Sequence, residues 1–414
     1  MKRVVITGMG ALTPIGNNLN DYWNALINGE SGAGPITKFD ASNFKTQFAC
    51  EVKGFDPQQY FERNEARKYD IFVQYAVAAA DEAIAQAKIN FDKLDRNRIG
   101  VIWGSGDGGV DTFEDQMQAW YQGDGQPRFN PYFVPKRIIN MASGVISIRH
   151  GLKGVNYSTS SACSASNTAI IDAFNYIQWG KADMMITGGS EGSVSVTSIG
   201  GFNASKALST RNDDPKTASR PFDQTRDGFV LGEGAGALVL ESLDHALARG
   251  ANIIAEVASG AMAADAYHLT ATHPEGEGAV RGMRLALEDA GISPDEIDYI
   301  NVHATSTPVG DESEIKAVET VFGADTKANI SATKSMTGHL LGGAGAIEAI
   351  ACVQAVVNDI VPPTINTSQI DEKFNPNFNF TLGKAQKRTV NYALSNTFGF
   401  GGHIACSIFK KYKA

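Results

Sequence analysis

The stretch GVNYSTSSACSASNTAIIDAFNYIQWGKADMMITGG, residues 154–189, contains the pattern that decides the fold class. A strand-like run ends in small residues, a helical pattern follows and ends near Gly180, and a second apolar strand begins after it. The same alternation recurs along the whole chain, from the strand pattern "RVVITGMG" near the start to "YALSNTF" near the end. Such alternation predicts an α/β protein whose sheets are covered by helices.

The composition is typical of a globular protein. The 414 residues are 43% apolar, which is enough to bury a large core. A formal net charge of −9 argues against broad nucleic-acid binding. Glycine and proline interrupt the opening sequence "MKRVVITGMGALTP" before a signal-peptide core or a membrane span could form. We therefore expect a cytoplasmic protein with neither a nucleic acid nor a membrane as partner.

The alternation of strands and helices begins afresh after "LDHALARGAN", residues 243–252. We therefore place a boundary near residue 250 and expect two units, residues 1–250 and 251–414. No internal repeat is evident in the sequence, although two halves that have diverged could still share one fold.

Cys163 lies where the first strand of the quoted stretch gives way to the helix. It is either a packed core thiol or a nucleophile, and a helix N-terminus favours the second reading because it stabilises a thiolate. The four cysteines, at positions 50, 163, 352 and 406, are far apart. Their spacing indicates neither a disulfide framework nor a metal site, so we expect single-thiol chemistry and no bound metal.

Two of the seven histidines lie at predicted strand-to-loop junctions: His303 in "YINVHATSTPVGDESE" and His339 in "SATKSMTGHLLGGAGAIEAI". Either one alone is more typical of a structural histidine, but with Cys163 they form a recurring catalytic set. The second stretch also contains Lys334 and Glu348. Because a carboxylate on an apolar helix face is costly, we expect Glu348 to pair with Lys334, a histidine or a cation; the alternative is that it faces solvent.

The stretch "SNTFGFGGHIAC", residues 395–406, is a glycine-rich loop flanked by Phe398 and Phe400. Its N–H groups could complete an oxyanion hole, and a phenylalanine between glycines could act as a gate. The alternative is an ordinary tight turn between two strands.

With these motifs in this order, the chain resembles the β-ketoacyl-[acyl-carrier-protein] synthases, in particular the elongating enzymes of bacterial type II fatty acid synthesis. The likeness extends over the whole chain and includes "HATSTPVGD" and "TKSMTGHLLGGAGAIEAI". It implies a thiolase fold, a five-layered αβαβα sandwich of two similar halves, working as a homodimer. It also implies acyl carrier protein as partner and no resident cofactor, because the carrier brings the phosphopantetheine.

The resemblance assigns roles to the candidate residues. Cys163 would accept the growing acyl chain as a thioester, and its N–H and that of Phe400 would bind the oxyanion. His303 and His339 would donate hydrogen bonds to the malonyl thioester and stabilise the enolate formed by decarboxylation. Two further residues would support the tautomers of these histidines: Lys334 and Glu348.

Other positions match the substrate-contacting and partner-contacting surfaces of the family. The phosphopantetheine tunnel would be lined by the hydroxyl groups of Thr270, Thr305 and Thr307. Two aromatic residues would contact substrate: Phe202 and Phe398. Five basic residues would form the surface that binds the acidic carrier protein: Arg63, Arg67, Lys68, Arg128 and Lys206.

Asp107 departs from the family pattern, because the elongating enzymes carry an apolar residue at this position of the acyl pocket. An acid there indicates a pocket remodelled for short, unsaturated or polar chains. The alternative is that Asp107 caps the following helix and leaves the pocket ordinary.

Two rival functions follow: a specialised ketosynthase of a polyene or polyketide pathway, and a non-catalytic partner subunit that sets chain length. Cys163 argues against the second, because such partners usually lack the nucleophile.

Overall fold

A sheet of ten strands runs through the molecule, whose computed structural model describes residues 1–413. Its order is β10-β9-β13-β14-β8-β1-β7-β6-β4-β5. The strands are β1 Val4–Leu12, β2 Gly34–Pro35, β3 Phe48–Ala49, β4 Ile99–Gly104, β5 Asn156–Thr159, β6 Met184–Glu191, β7 Gly234–Ser242, β8 Ala255–Ala264, β9 Tyr299–Asn301, β10 Asn329–Ser331, β11 Ile360–Val361, β12 Gln386–Lys387, β13 Tyr392–Gly399 and β14 His403–Lys410.

The helices follow the predicted alternation and pack on both faces of this sheet. They are α1 Leu19–Asn28, α2 Arg63–Ala66, α3 Ile71–Gln86, α4 Val110–Gln122, α5 Phe133–Arg137, α6 Met141–His150, α7 Ala165–Gln178, α8 Val196–Ala204, α9 Leu243–Ala248, α10 Glu277–Ala290, α11 Pro308–Phe322, α12 Lys334–Thr337 and α13 Ala344–Asn358.

The sheet consists of two halves with the same topology. In the first half, β1-β7-β6-β4-β5, two antiparallel pairings are followed by two parallel ones. The second half, β8-β14-β13-β9-β10, repeats this series. Within the sheet, three residue pairs between β1 and β8 join the halves. The predicted boundary near residue 250 falls between α9 and β8, where the second half begins.

The helices complete a five-layered sandwich. Helices α7 and α13 contact each other and strands of both halves, so they form the middle layer. Helix α3 covers the outer face of the first half, and α10 covers that of the second. One apolar cluster fills the space around the middle helices, and two others lie beneath the outer ones. The predicted αβαβα architecture is therefore confirmed.

The segment Leu341–Asn358, which includes α13, is long and apolar enough to cross a membrane by length and composition. Within the fold, however, 83% of it is buried. Its apolar character is that of a central core helix, because such a helix is surrounded by other elements on every side.

The two halves bring their chemistry to the carboxyl ends of parallel strands, where α/β proteins place ligands. Cys163 lies between β5 and α7, and His339 occupies the equivalent connection between β10 and α13. Likewise Asp107 follows β4, and His303 follows the equivalent strand β9. The internal repeat that the sequence conceals therefore places the nucleophile and one histidine at matching positions.

Candidate active site

The turn that carries Cys163 is a single 3-10 segment, Ala162–Ser164, which leads directly into α7. Ala162 has a φ of +50°, a conformation that residues with a side chain rarely adopt. The end of β13 packs against this turn so closely that a Cβ on Gly399 would lie 2.4 Å from the Ser161 carbonyl oxygen. The backbone N–H of Phe400 is close enough to the Cys163 thiol to act against the rise in its pKa. The predicted oxyanion donor thus points at the nucleophile.

The helix N-terminus is not the dominant influence on the pKa of Cys163. Burial raises the pKa of the thiol to about 12, and the negative charges of Asp107 and Glu191 act in the same direction. The positive charge of Lys334 and the Phe400 N–H oppose this increase in pKa without cancelling it. Desolvation therefore outweighs the helix N-terminus, and the free enzyme carries Cys163 as a thiol.

His303 and His339 lie side by side, with ring centroids 5.3 Å apart and ring planes nearly perpendicular. His303 also packs against Phe398, with centroids 5.5 Å apart, and His339 meets the edge of Phe229 at 5.3 Å. The backbone N–H of His339 donates a hydrogen bond to the Val230 carbonyl oxygen, which holds the His339 backbone in place. Aromatic packing and backbone pairing therefore fix the positions of both imidazoles.

Both imidazoles are neutral. Burial lowers the pKa of His303 and of His339 well below 6.5, and the positive charge of Lys334 lowers both further. A neutral imidazole has one N–H to donate and one nitrogen that accepts. Each neutral imidazole can therefore donate a hydrogen bond through its N–H to a negative charge that develops on the substrate.

Lys334 and Glu348 form an ion pair and are almost fully buried. This excludes the alternative in which Glu348 faces solvent. Among the described residues, the Nδ1 atoms of His303 and His339 have no hydrogen-bond partner. Lys334 acts on both imidazoles through its charge, and the support of their tautomers by Lys334 and Glu348 stays a prediction.

Neutral imidazoles give a direct prediction for histidine titration. A histidine with an ordinary pKa near 6.5 is mostly protonated at about pH 5.5, whereas His303 and His339 should still be neutral there. We expect the ring signals of His303 and His339 in a ¹³C-histidine NMR titration to remain unshifted over this range. His303→Gln and His339→Gln variants assign these two signals.

The double variant Lys334→Met/Glu348→Gln tests the effect of the Lys334 charge on both histidines. It removes that charge together with its partner's, so no buried ion is left unpaired. It should raise the pKa of both histidines. Titration of either ring near pH 6.5 in the native protein would contradict the assignment of neutral donors.

A cavity of about 350 Å³ joins these groups. Ten of the residues singled out from the sequence line it: Cys163, Phe202, Lys206, Thr270, His303, Thr305, Thr307, His339, Phe398 and Phe400. Phe398 is buried at the end of β13, whereas Phe400 is 38% exposed. The nucleophile, both histidines and the glycine loop therefore share one reaction space.

Comparison with known proteins agrees with this geometry. Residues 1–246 match the N-terminal domain of β-ketoacyl synthase, and residues 254–368 match its C-terminal domain. The chain belongs to the β-ketoacyl synthase family. It is 49% identical to 3-oxoacyl-[acyl-carrier-protein] synthase 2 of Synechocystis sp. over 100% of this chain and 99% of that one. The resemblance noted in the sequence is thus confirmed, and the chain is a condensing enzyme.

Solved structures of ketosynthases have the same fold. The ishigamide ketosynthase/chain length factor matches with a TM-score of 0.93 and 34% identity, over 100% of both chains. A second structure, a type II polyketide synthase acyl-carrier protein in complex with its ketosynthase bound to the hexaketide, matches with a TM-score of 0.89 and 31% identity, again over 100% of both chains.

Some predicted residues lie outside the cavity of this β-ketoacyl synthase. Lys334 and Glu348 are buried behind it, and Asp107 does not line it. Asp107 also does not cap α4, whose N-cap is Gly109. Of the five basic residues, only Lys206 is at the cavity; the other four are exposed on the surface: Arg63, Arg67, Lys68 and Arg128.

Glu314 on α11 holds the backbone at His303, a role that the sequence did not indicate. Its carboxyl group accepts hydrogen bonds from the backbone N–H groups of His303 and Ala304, at 2.8 and 2.7 Å. Burial raises the pKa of Glu314 to about 7. The signal was present, since Glu314 follows two other acids in "GDESE". A run of acids on a helix usually indicates a solvated face, which conceals that Asp311 and Glu314 are both buried.

Four buried oxygen atoms on β9, β13 and α13 lack hydrogen-bond partners within residues 1–413: Asn301 Oδ1, Glu348 Oε2, Ser395 Oγ and Asn396 Oδ1. Such hard oxygen donors are the type that alkali and alkaline-earth cations prefer. In the same range no group of three His, Cys, Asp or Glu side chains could hold a metal ion. If the enzyme holds a cation, these oxygens are the atoms suited to it.

Proposed function

We propose that this enzyme elongates an acyl chain bound to Cys163 by two carbons, using malonyl-acyl carrier protein in a decarboxylative Claisen condensation of fatty acid biosynthesis. One observation carries the proposal: Cys163, the Phe400 N–H and two neutral histidines face one cavity. The name of the Synechocystis relative supports the substrate class. We also propose a cytoplasmic location, which the four free cysteines support.

In the first half-reaction, the Cys163 thiol attacks the thioester carbonyl of the acyl carrier protein. The new C–S bond forms at Cys163, the bond to the pantetheine sulfur breaks, and that sulfur leaves with the thiol proton. The negative charge that develops on the carbonyl oxygen accepts hydrogen bonds from the N–H groups of Phe400 and Cys163. Because the thiolate is the reactive form, the Cys163 proton leaves as the C–S bond forms, and the departing pantetheine sulfur accepts it.

In the second half-reaction, malonyl-acyl carrier protein enters the same cavity. Loss of CO₂ leaves an electron pair on the α-carbon and negative charge on the thioester oxygen, which His303 and His339 stabilise as hydrogen-bond donors. The α-carbon then attacks the acyl carbonyl on Cys163. The C–S bond breaks, the β-ketoacyl product remains on the carrier, and the Cys163 thiolate regains a proton from solvent.

We assign the cavity wall to the phosphopantetheine arm. Thr305 and Thr307 face each other, with hydroxyl oxygens 3.2 Å apart, and Thr270 also lines the cavity. The arm contains amide groups, which hydroxyls can bind through hydrogen bonds. The carrier protein supplies this arm, so the reaction requires no cofactor resident in the enzyme.

Carrier binding gives a prediction for the exposed basic residues. Reversing two neighbouring charges in Arg67→Glu/Lys68→Glu should raise the KM for acyl carrier protein about tenfold, with little change in kcat, because rim charges mainly steer association. Steady-state kinetics with the carrier-bound substrate measures this change.

Lys93→Glu/Lys384→Glu is the control, since it makes the same charge change at two other exposed lysines. Equal KM values for the two double variants would remove Arg67 and Lys68 from the carrier-binding surface. Acyl-pantetheine, which lacks the protein, should show no dependence on either double variant.

We propose a homodimer that forms at β5. This strand ends the sheet and so presents an unpaired edge, which proteins usually cover. An aromatic surface is exposed on the neighbouring α4–α5 segment: Phe113, Trp120, Tyr121, Phe129 and Tyr132.

Light scattering should give twice the chain mass of 44.1 kDa. Introducing charge with Tyr121→Glu/Phe129→Glu should shift the protein towards monomer. A monomeric native protein would contradict this assignment.

A specialised ketosynthase of a polyene or polyketide pathway is the second candidate. Asp107 and the likeness to the ishigamide ketosynthase favour it, whereas the higher identity to a 3-oxoacyl-[acyl-carrier-protein] synthase 2 favours the first. Both candidates use the same cysteine and histidines, so they differ in acyl chain alone.

Intact-protein mass spectrometry with a panel of acyl carrier proteins tests the proposal. Saturated medium and long chains should add their acyl mass to the native enzyme and none to Cys163→Ala. Labelling by polyenoyl chains alone would favour the specialised ketosynthase. Absence of labelling by every chain would overturn the proposal and favour a non-catalytic partner subunit.

A further inference from the structure

Several residues that follow the nucleophile are polar but buried. Ser164, Ser166 and Asn167 lie at the start of α7, and all three are fully buried. A buried polar side chain costs free energy unless it forms hydrogen bonds. Ser166 accepts one from the backbone N–H of Ala346 in the other central helix, α13, at 2.9 Å. The side chains of Ser164 and Asn167 contact a different part of the fold.

Both of these side chains contact the hairpin formed by β13 and β14. The Ser164 hydroxyl donates to the carbonyl oxygens of Thr397 on β13 and His403 on β14, at 3.1 and 3.2 Å. The Asn167 amide donates to the Thr397 hydroxyl at 3.1 Å and to the Ala405 carbonyl oxygen at 3.0 Å. Because residues three apart lie on one face of a helix, a single face of α7 holds both strands of the hairpin.

The turn of this hairpin carries Phe400 and lies against the nucleophile. A Cβ on Gly399, the last residue of β13, would lie 3.2 Å from the Cys163 backbone nitrogen and 3.2 Å from the Ser164 hydroxyl oxygen. The Phe400 N–H acts on the Cys163 thiol from this turn. The distance between that N–H and the Cys163 sulfur therefore depends on how the hairpin packs on α7.

The turn itself is open to solvent. The Phe400 side chain is exposed, and the two glycines that follow it have positive φ. A further hydrogen bond, from the Gly401 N–H to the Leu269 carbonyl oxygen, leads to a loop residue that is itself exposed. Ser164 and Asn167 are buried, so their contacts connect the turn to the packed core. A fixed donor stabilises an oxyanion best, because it does not have to reorganise during the reaction.

We propose that Ser164 and Asn167 are positioning residues, which hold the Phe400 N–H at the distance from Cys163 that acylation requires. The inference rests on the proposed function and adds two residues to the half-reaction in which Cys163 accepts the acyl chain. Neither residue lines the cavity, so both act through the hairpin. Malonyl decarboxylation depends on the two histidines instead, so the two half-reactions should respond differently to changes at Ser164 and Asn167.

The ratio of two rates tests this role. One is acylation of Cys163 by the octanoyl thioester of N-acetylcysteamine, followed by intact-protein mass spectrometry, and the other is CO₂ release from malonyl-acyl carrier protein. Ser164→Ala and Asn167→Ala should each lower the acylation rate by about tenfold, because a displaced donor stabilises the oxyanion less. CO₂ release should stay close to the native rate. A merely structural role would lower both rates together, in proportion to the folded fraction.

Ser259→Ala is the matched control and should keep the native ratio. It also removes a fully buried hydroxyl that donates to a backbone carbonyl oxygen, in this case that of Ala286 on the outer helix α10, at 2.7 Å. A native ratio in Ser164→Ala or in Asn167→Ala would overturn the positioning role of that residue and leave the proposed function standing. If neither this thioester nor any acyl carrier protein acylated Cys163 in the native enzyme, the proposed function would fail and the inference with it.

Discussion

Replacing either His303 or His339 with alanine should lower the rate of malonyl decarboxylation by about 10²- to 10³-fold, the loss typical when one oxyanion donor is removed. Both imidazoles are neutral and are fixed by aromatic packing, so each offers an N–H that requires no reorganisation during the reaction. Release of CO₂ from malonyl-acyl carrier protein measures the effect. Acylation of Cys163 should be affected far less, because it uses the Phe400 N–H instead.

His150→Ala is the control for this pair, since His150 lies at the end of α6 and pairs with Asp81 on the outer surface. It should decarboxylate at the native rate. If His303→Ala or His339→Ala also did so, the histidines would have no role in stabilising the enolate.

Cys163→Ala should lower condensation by about 10³-fold or more, because no other group can carry the acyl chain. The three remaining cysteines, Cys50, Cys352 and Cys406, are buried and do not line the cavity, so none replaces it. The same variant should still release CO₂ from malonyl-acyl carrier protein. This separation is expected because the histidines lie on the other half of the fold and do not need the thiol.

The predicted loss of condensation is checked by mass spectrometry, which measures formation of the β-ketoacyl product from acyl and malonyl carriers. Cys163→Ser is the conservative comparison, since serine keeps the shape of the turn but provides a much weaker nucleophile at neutral pH. Condensation at the native rate in Cys163→Ala would exclude a covalent acyl-enzyme at this position.

Local sequence patterns predicted the elements of this fold well. The strand, turn and helix around Cys163 were evident from apolar periodicity and small residues, and the structure has β5, a 3-10 turn and α7 there. The histidines were found because polar residues at the ends of apolar strands are conspicuous. Their convergence required the resemblance to a known family, since sequence spacing does not show which strand ends meet.

Effects that depend on burial could not be predicted from the sequence. The helix N-terminus indicated a thiolate at Cys163, but desolvation is stronger and keeps the thiol protonated. In the sequence Glu314 is one of three neighbouring acids, and only the structure shows that α11 directs it towards the His303 backbone. The duplication was also hidden, because the two halves share the order and direction of their strands and not their residues.

The central claim is that Cys163 carries the acyl chain while His303 and His339 separately stabilise the malonyl enolate. The rate of CO₂ release from malonyl-acyl carrier protein, compared between Cys163→Ala and Cys163→Ala/His339→Ala, tests it most directly. We predict that the single variant retains CO₂ release and that the double variant loses it by about 10²-fold or more. Loss of CO₂ release in Cys163→Ala, or equal rates in the two variants, would contradict the account.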